Sequence, residues 1–252
     1  MKTIILCGCN GHMGKVICSV VAARNDCEIV AGIDLNTQSD AGFPVYASIN
    51  DCKEKADVII DFSHPSALDS VLAYSLRTKT PIVIAATGYS EQQKKQIADA
   101  AKETAVFFTY NMSLGINLLV ELAQKATKVL GNEFDIEIVE KHHNQKIDAP
   151  SGTALMLADA ISQAHDEVLK YEYDRHSKRE KRSKNEIGIH AVRGGTIVGE
   201  HEVIFAGRDE IITLSHSARS KEVFAVGAVN AAVFMTEKKN GMFTMKELLD
   251  NK

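Results

Sequence analysis

Between residues 3 and 109, short β-type runs alternate with segments of helical periodicity, and this alternation constrains the fold more than any other feature of the chain. Thr3–Cys7 is an apolar run that ends at a glycine. Val16, Ile17, Val20 and Val21 then recur at helical spacing, and Glu28–Asp34 returns to strand character. The same rhythm predicts strands at Val58–Phe62, Pro81–Ala85 and Ala105–Thr109, with helices from Pro65 to Thr78 and from Ser90 to Glu103. Successive β-α-β units pack as a parallel sheet with helices on both faces, because each crossover is right-handed and must lay its helix back on the sheet.

After Asn111 the pattern changes. Ile116, Leu119, Ala123, Ala126 and Leu130 mark one face of a long amphipathic helix, followed by a strand over Phe134–Val139 and a helix from Gly152 to Gln163. Ile187–Val192, Thr196–Ala206 and Glu210–His216 read as three antiparallel strands, separated by Gly194-Gly195 and Gly207-Arg208-Asp209. A second, smaller α+β domain is expected there. A last helix covers Glu222–Thr236, and the tail folds back on the first domain.

Composition narrows the partners. A length of 252 residues with 45% apolar content supports one large or two modest domains with a substantial core. A net charge of -4 supplies no cationic field for nucleic acid or an anionic membrane. No segment approaches the roughly 18 uninterrupted apolar residues of a membrane helix, and the apolar run after Lys2 is too short for a secretory signal, so a cytoplasmic protein is expected. Cys7, Cys9, Cys18, Cys27 and Cys52 are odd in number and form no C-x-x-C pair, which fits reduced thiols better than a disulfide framework. The basic stretch Asp174–Lys184 reads as a solvated loop. Its alternative is an electrostatic lure for an anionic substrate.

Gly8-Cys-Asn-Gly11-His-Met-Gly14 follows the first strand and opens the first helix, the setting of a dinucleotide-binding turn. Glycines admit a pyrophosphate close to the backbone, and the helix N-terminus offers N–H groups and a positive partial charge. A phosphotransferase loop is excluded, because Cys9 replaces its leading glycine and Val16 its Mg²⁺-binding hydroxyl. Asp34 ends the second strand about 20 residues after Gly14, where a carboxylate accepts from an adenosine ribose diol. No Lys or Arg lies between Ile33 and Asp51 to balance a 2′-phosphate, so NADH is expected as the preferred cofactor and NADPH as the second choice.

The densest chemistry lies in Glu140-Lys-His-His-Asn-Gln-Lys-Ile-Asp148, followed by Ala-Pro-Ser-Gly-Thr-Ala154. Histidine suits proton delivery near neutral pH, and Lys146 offers a fixed cation for a carboxylate. Pro150 stops the extended segment, and Ser151, Gly152 and Thr153 open a helix whose N–H groups and hydroxyls can hold an oxyanion. Adjacent histidines on an extended chain point to opposite sides and Lys146 would repel a cation, so no metal is expected. Asp148 reads as a turn residue bonded to backbone. His201 and His216 read as satisfied sheet residues. A short-chain dehydrogenase would need Tyr-x-x-x-Lys, and no tyrosine has lysine four positions on.

Gly8–Gly14, Asp61-Phe-Ser-His-Pro65, Ala86-Thr-Gly88, Asn111-Met-Ser-Leu-Gly-Ile-Asn117, Glu140–Ala154, Arg193-Gly-Gly195, Gly199-Glu-His201 and Phe224-Ala-Val-Gly-Ala228 together resemble the hydroxy-tetrahydrodipicolinate reductase family. The resemblance spans nearly the whole chain. It implies a Rossmann-like parallel-sheet nucleotide domain, residues 1–113 with 221–252, and an α+β substrate-binding and oligomerisation domain with a mixed sheet, residues 114–220, in a homotetramer. The implied reaction is NAD(P)H-dependent reduction of a small cyclic dicarboxylate with loss of water, in lysine and diaminopimelate synthesis. The implied roles are His142 as general acid with Lys146 as a second catalytic group; His143, Ser151, Gly152 and Thr153 toward substrate; and Gly8, Asn10, Gly11, His12, Met13, Gly14, Asp34, Phe62, Ala86, Thr87, Gly88, Tyr110, Asn111 and Met112 toward cofactor, with Phe62, Ala86, Thr87, Gly88, Tyr110 and Met112 on its nicotinamide side. The chain departs from the family at His12 and Leu35, where members often carry Arg, and at Tyr110, Lys221 and Thr244.

Overall fold

The computed structural model describes residues 1–38 and 42–251. In chain order the elements are β1 (Lys2–Cys7), α1 (His12–Ala22), β2 (Cys27–Ile33), β3 (Val45–Tyr46), β4 (Val58–Asp61), α2 (Leu68–Thr78), β5 (Ile82–Ile84), α3 (Glu91–Ala100), β6 (Ala105–Phe108), α4 (Leu114–Leu130), β7 (Asp135–His142), α5 (Gly152–Ala164), β8 (Lys170–Glu172), β9 (Glu186–Arg193), β10 (Gly199–Ala206), β11 (Ile211–Ala218), α6 (Glu222–Met235), β12 (Gly241–Phe243) and α7 (Met245–Asp250). They fall into two compact units, Met1–Leu114 with Glu222–Lys252, and Gly115–Lys221.

The first unit is a seven-stranded parallel sheet in the order β12-β6-β5-β4-β1-β2-β3. Its strands read as continuous apolar runs because both faces are covered. One face packs Ile4, Leu6, Ile60, Val83 and Phe107 against α1 and α6. The other packs Ile5, Ile59, Ile82, Ile84 and Val106 against α2 and α3. The chain order reverses at β1 and β4, which are neighbours, and ligands of such sheets bind beyond the carboxyl ends of the strands at that point. α6 is nearly uniform in hydrophobicity, with Ala225, Gly227, Ala228, Val229, Ala231, Ala232 and Met235 all buried, as expected of a core helix rather than a surface one. β3, β12 and α7 lie outside the sequence expectations. β3 and β12 are two and three residues long, below the length at which periodicity is visible.

The second unit is a five-stranded mixed sheet, β11-β10-β7-β9-β8. β7 alternates strictly, with Ile136, Ile138, Glu140 and His142 on the buried face. That face packs on α4 through Ile116, Leu119 and Ala123, and on α5 through Ala154, Leu157, Ala158 and Ile161. Two expectations are corrected here. β7 runs to His142 rather than stopping at Val139, so the first histidine is a strand residue. The strands at 187–218 are not uniformly antiparallel: β9 pairs parallel with β7, while β10 pairs antiparallel with β7 and with β11. The glycine turn after Arg193 suggests a hairpin, but β7 inserts between its two arms, and nothing local to that turn encodes the insertion.

The basic stretch is also revised. Arg182 donates to the Glu137 carboxylate at 2.9 Å, to Asp135 at 3.0 Å and to the carbonyls of Ile136 and Glu186. Arg175 pairs with Glu186 at 2.5 Å, and Lys178 pairs with Glu172. Half of its cations are therefore fastened to carboxylates of this unit, which leaves little uncompensated field to draw in an anion. The segment acts as a strap over the start of β7 and β9.

Candidate active site

In the first unit the turn after β1 is shaped by contacts that only glycine permits. Gly8 has φ +79, and a Cβ there would stand 2.7 Å from the Phe62 carbonyl oxygen in the loop after β4. A Cβ on Gly14 would collide with the Gly8 carbonyl oxygen, so the first turn of α1 lies directly on the loop. Gly11 is the N-cap of α1 and has no side-chain cap bond, which leaves the helix N-terminus to an external anion. Asn10, Gly11, His12 and Met13 lie between these glycines, with the Asn10 N–H bonded to Asp34 and the Gly11 N–H to the Gly8 carbonyl. The turn fits the pyrophosphate of a dinucleotide. Asp34 shapes the same loop: its carboxylate accepts from the backbone N–H of Asn10 at 3.0 Å and of Asn36 at 3.1 Å. Leu35 beside it is fully exposed.

The other expected cofactor residues lie on the loops after β4, β5 and β6. Phe62 and Ala86 are half-buried, Thr87 and Gly88 exposed, and Met112 buried. Asn111 accepts from the Ser113 N–H at 2.8 Å. Tyr110 stands out at 70% exposure, with the Lys94 ammonium 5.7 Å from its ring centroid.

The second set is built around one carboxylate in the second unit. Glu140 is fully buried and accepts two hydrogen bonds from Arg193, both at 2.7 Å, one from the Ser151 N–H at 2.9 Å, and a 2.6 Å contact from His142 Nδ1. Burial alone would raise its pKa, yet Arg193, His142 and Ser151 outweigh burial and hold it below the usual value. With Nδ1 committed to Glu140, His142 keeps Nε2 for proton exchange. That nitrogen faces Gly199, where a Cβ would stand 3.1 Å away. Arg193 also donates to the Asp148 carbonyl at 2.6 Å, which anchors the loop that carries Lys146.

Ser151 is buried, and its N–H, like its hydroxyl, is already engaged. The hydroxyl caps α5 through Ala154 N–H at 3.2 Å and pairs with His201 Nε2 at 3.1 Å. Gly152 is exposed and Thr153 and His143 half-buried. Asp148 keeps a bond to its own backbone, and its carboxylate also pairs with Lys146 Nζ at 2.8 Å. His201 also departs from the reading of a satisfied sheet residue, since its Nδ1 is buried without a partner and its ring stands edge-on to His142 at 5.2 Å. Sequence reasoning gave no role to Glu140, Arg193 or His201. The available signal was Glu140 itself, a charge at the apolar phase of an alternating strand. No group of side chains able to hold a metal occurs among the described residues.

Two family models match successive parts of the chain. The family model "Dihydrodipicolinate reductase, N-terminus" matches residues 2–112, and "Dihydrodipicolinate reductase, C-terminus" matches residues 115–249. The chain belongs to the dihydrodipicolinate reductase family. It is therefore an oxidoreductase that uses a pyridine nucleotide. A 4-hydroxy-tetrahydrodipicolinate reductase of Caldanaerobacter subterraneus subsp. tengcongensis is 54% identical over 249 residues, covering 99% of this chain and 98% of the relative. One from Clostridium tetani is 49% identical over 251 residues, covering 100% and 98%. The solved structure of a dipicolinate-bound dihydrodipicolinate reductase from Paenisporosarcina sp. TG-14 shares the fold with a TM-score of 0.80 at 24% identity, covering 97% of each chain.

Burial lowers the His201 pKa from 6.5 to about 4, and the neighbouring His142 adds to the shift. The unfolded chain takes up this proton near pH 6.5 while the folded chain does not. The corresponding stability is therefore present above that pH and is lost as pH falls toward 4. Urea unfolding at pH 7 and pH 5 should show the wild type losing about 2 kcal/mol more than His201→Gln. Equal losses would mean that His201 is protonated in the fold.

Proposed function

We propose the following roles for the residues of this reductase. The chain reduces 4-hydroxy-tetrahydrodipicolinate to tetrahydrodipicolinate in lysine and diaminopimelate biosynthesis. One hydride and one proton enter the ring, and its hydroxyl leaves as water. The observation that carries the assignment is the buried 2.6 Å contact between Glu140 and His142 Nδ1. The carboxylate holds the Nδ1–H tautomer, so the transferable proton sits on Nε2, beside the side-chain-free Gly199. Proton loss leaves a neutral imidazole still held by Glu140, ready to be reprotonated from solvent.

Residues Met1–Leu114 with Glu222–Lys252 form the nucleotide-binding domain, and Gly115–Lys221 the substrate-binding and oligomerisation domain. The substrate is a small dicarboxylate. Lys146 and His143 pair with it, Lys146 exchanging its Asp148 partner for a substrate carboxylate. Gly152 and Thr153 at the start of α5 hold a carboxylate, while Ser151 fixes that helix end through Glu140 and His201. NAD(P)H supplies the hydride when bound. Asp34 receives the adenosine ribose, and a 2′-phosphate beside this carboxylate and Leu35 would meet no local cation, which favours NADH over NADPH. The protein acts in the cytoplasm as a homotetramer, through the sheet face opposite α4 and α5. That face carries Val139, Ile204 and Ile211, and also Lys141, which bridges Glu200 at 3.3 Å and Glu202 at 3.0 Å.

In an assay coupled to fresh aldolase product, His142→Ala should lower turnover by about 10²–10⁴-fold with NADH binding unchanged, as expected when a general acid is removed. Turnover within threefold of wild type would reject the assignment of His142. Leu35→Arg should shift the kcat/KM ratio toward NADPH, and an unchanged ratio would refute the reading of Asp34. Sedimentation should give a mass four times that of the chain, which Ile204→Lys lowers; a monomeric wild type would remove the sheet-face interface.

A further inference from the structure

We propose that Asp61 and Tyr89 form a latch that ties the loop after β4 to the loop after β5 and so holds the nicotinamide side of the cofactor site in shape. The inference rests on the reading of Phe62 and Ala86–Gly88 as cofactor-lining residues.

Asp61 ends β4 and is fully buried. One carboxyl oxygen accepts from the Ser63 N–H at 3.0 Å and the Ser63 hydroxyl at 2.5 Å, which folds the loop that carries Phe62. The Asp61 carbonyl accepts from the N–H groups of Ala85 at 2.9 Å and Ala86 at 3.2 Å, so the same residue also sets the start of the next loop. The second carboxyl oxygen, Oδ2, is buried without a hydrogen-bond partner, and so is the hydroxyl of Tyr89, one residue beyond Gly88. These two orphaned atoms belong to groups that already act on each other. Burial raises the Asp61 pKa, against which Ser63 and then the Tyr89 hydroxyl act, and burial followed by Asp61 raises that of Tyr89. A buried polar atom left unpaired costs about 1–3 kcal/mol, so closing one hydrogen bond satisfies two such atoms at once.

Tyr89 also reaches the third loop. Its ring packs edge-on against Phe108 at 6.1 Å, and Phe108 packs against Tyr110 at 5.7 Å. All three loops with expected nicotinamide-side residues therefore converge on one tyrosine. A phenylalanine would preserve the aromatic chain and remove only the latch. Asp61 and Tyr89 act as positioning residues, since their effect on the cofactor passes through Phe62 and Ala86–Gly88.

The test compares NADH with ADP-ribose, which lacks the nicotinamide, on the full-length protein. Tyr89→Phe should weaken NADH binding about fivefold, the equivalent of one neutral hydrogen bond, while ADP-ribose affinity stays within twofold. Asp61→Asn, which keeps the shape and a hydrogen-bonding group, should lose less NADH affinity than Asp61→Ala. Wild-type NADH affinity in Tyr89→Phe, or equal weakening of both ligands, would overturn the latch. Ala86→Val separates the two readings: if it leaves NADH affinity unchanged, the assignment of that loop to the cofactor fails and the latch falls with it. If it weakens NADH while Tyr89→Phe does not, only the latch fails.

Discussion

A single buried carboxylate organises the second unit of this protein. Glu140 has no contact with water, and an ionised carboxylate in that position is tolerable only when its lone pairs are filled by donors of matched charge. Arg193 fills two of them from β9, His142 one from β7, and the Ser151 N–H one from the start of α5. Each donor is fixed by this demand. The orientation of the imidazole, the entry of α5 and, through the second reach of Arg193 to the Asp148 carbonyl, the course of the Lys146 loop follow from it. The same low-dielectric setting that makes an unpaired charge costly makes the satisfied network rigid.

The nucleotide half depends on a different constraint, the close approach of backbone to backbone. The β1 turn touches the loop after β4 at Gly8 and Phe62, and α1 sits on that turn at Gly14. The result is a helix end uncapped by any side chain, beside the point where the strand order of the parallel sheet reverses. Asp34 contributes to this arrangement as the acceptor that draws Asn10 into the loop. The loops after β4, β5 and β6 carry no such glycine-driven packing. Their relative positions rest on Asp61, Tyr89 and the aromatic chain to Tyr110.

Much of the first unit was legible because its signals are local. A fully buried strand is an apolar run, a crossover helix shows a 3.6-residue period, and a glycine turn between them has few structural solutions. The site stretch 140–154 was legible for the same reason: unusual density of titrating groups does not depend on distant contacts. β3 and β12 were not legible, since two or three residues carry no period. Ser151 was read as a donor to substrate because a helix opening advertises its N–H groups, whereas Glu140, eleven residues earlier, already takes that N–H. His201 looked like an ordinary sheet residue because its neighbours in sequence are strand residues. Its importance comes from Ser151 and His142, brought beside it by the pairing of β10 with β7.

The sequence by itself determined the parallel sheet, the glycine turn after β1, the family, and the concentration of titrating groups at 140–154, since each of these follows from residue types at fixed short spacing. Only the tertiary structure decided the mixed pairing in which β7 separates β9 from β10, the engagement of the basic strap by Glu137 and Glu186, and the choice of Glu140 as the hub. Those outcomes depend on which strands become neighbours. Strand adjacency is set by the burial of a whole face against α4 and α5, a sum over contacts far apart in the chain that no local pattern records.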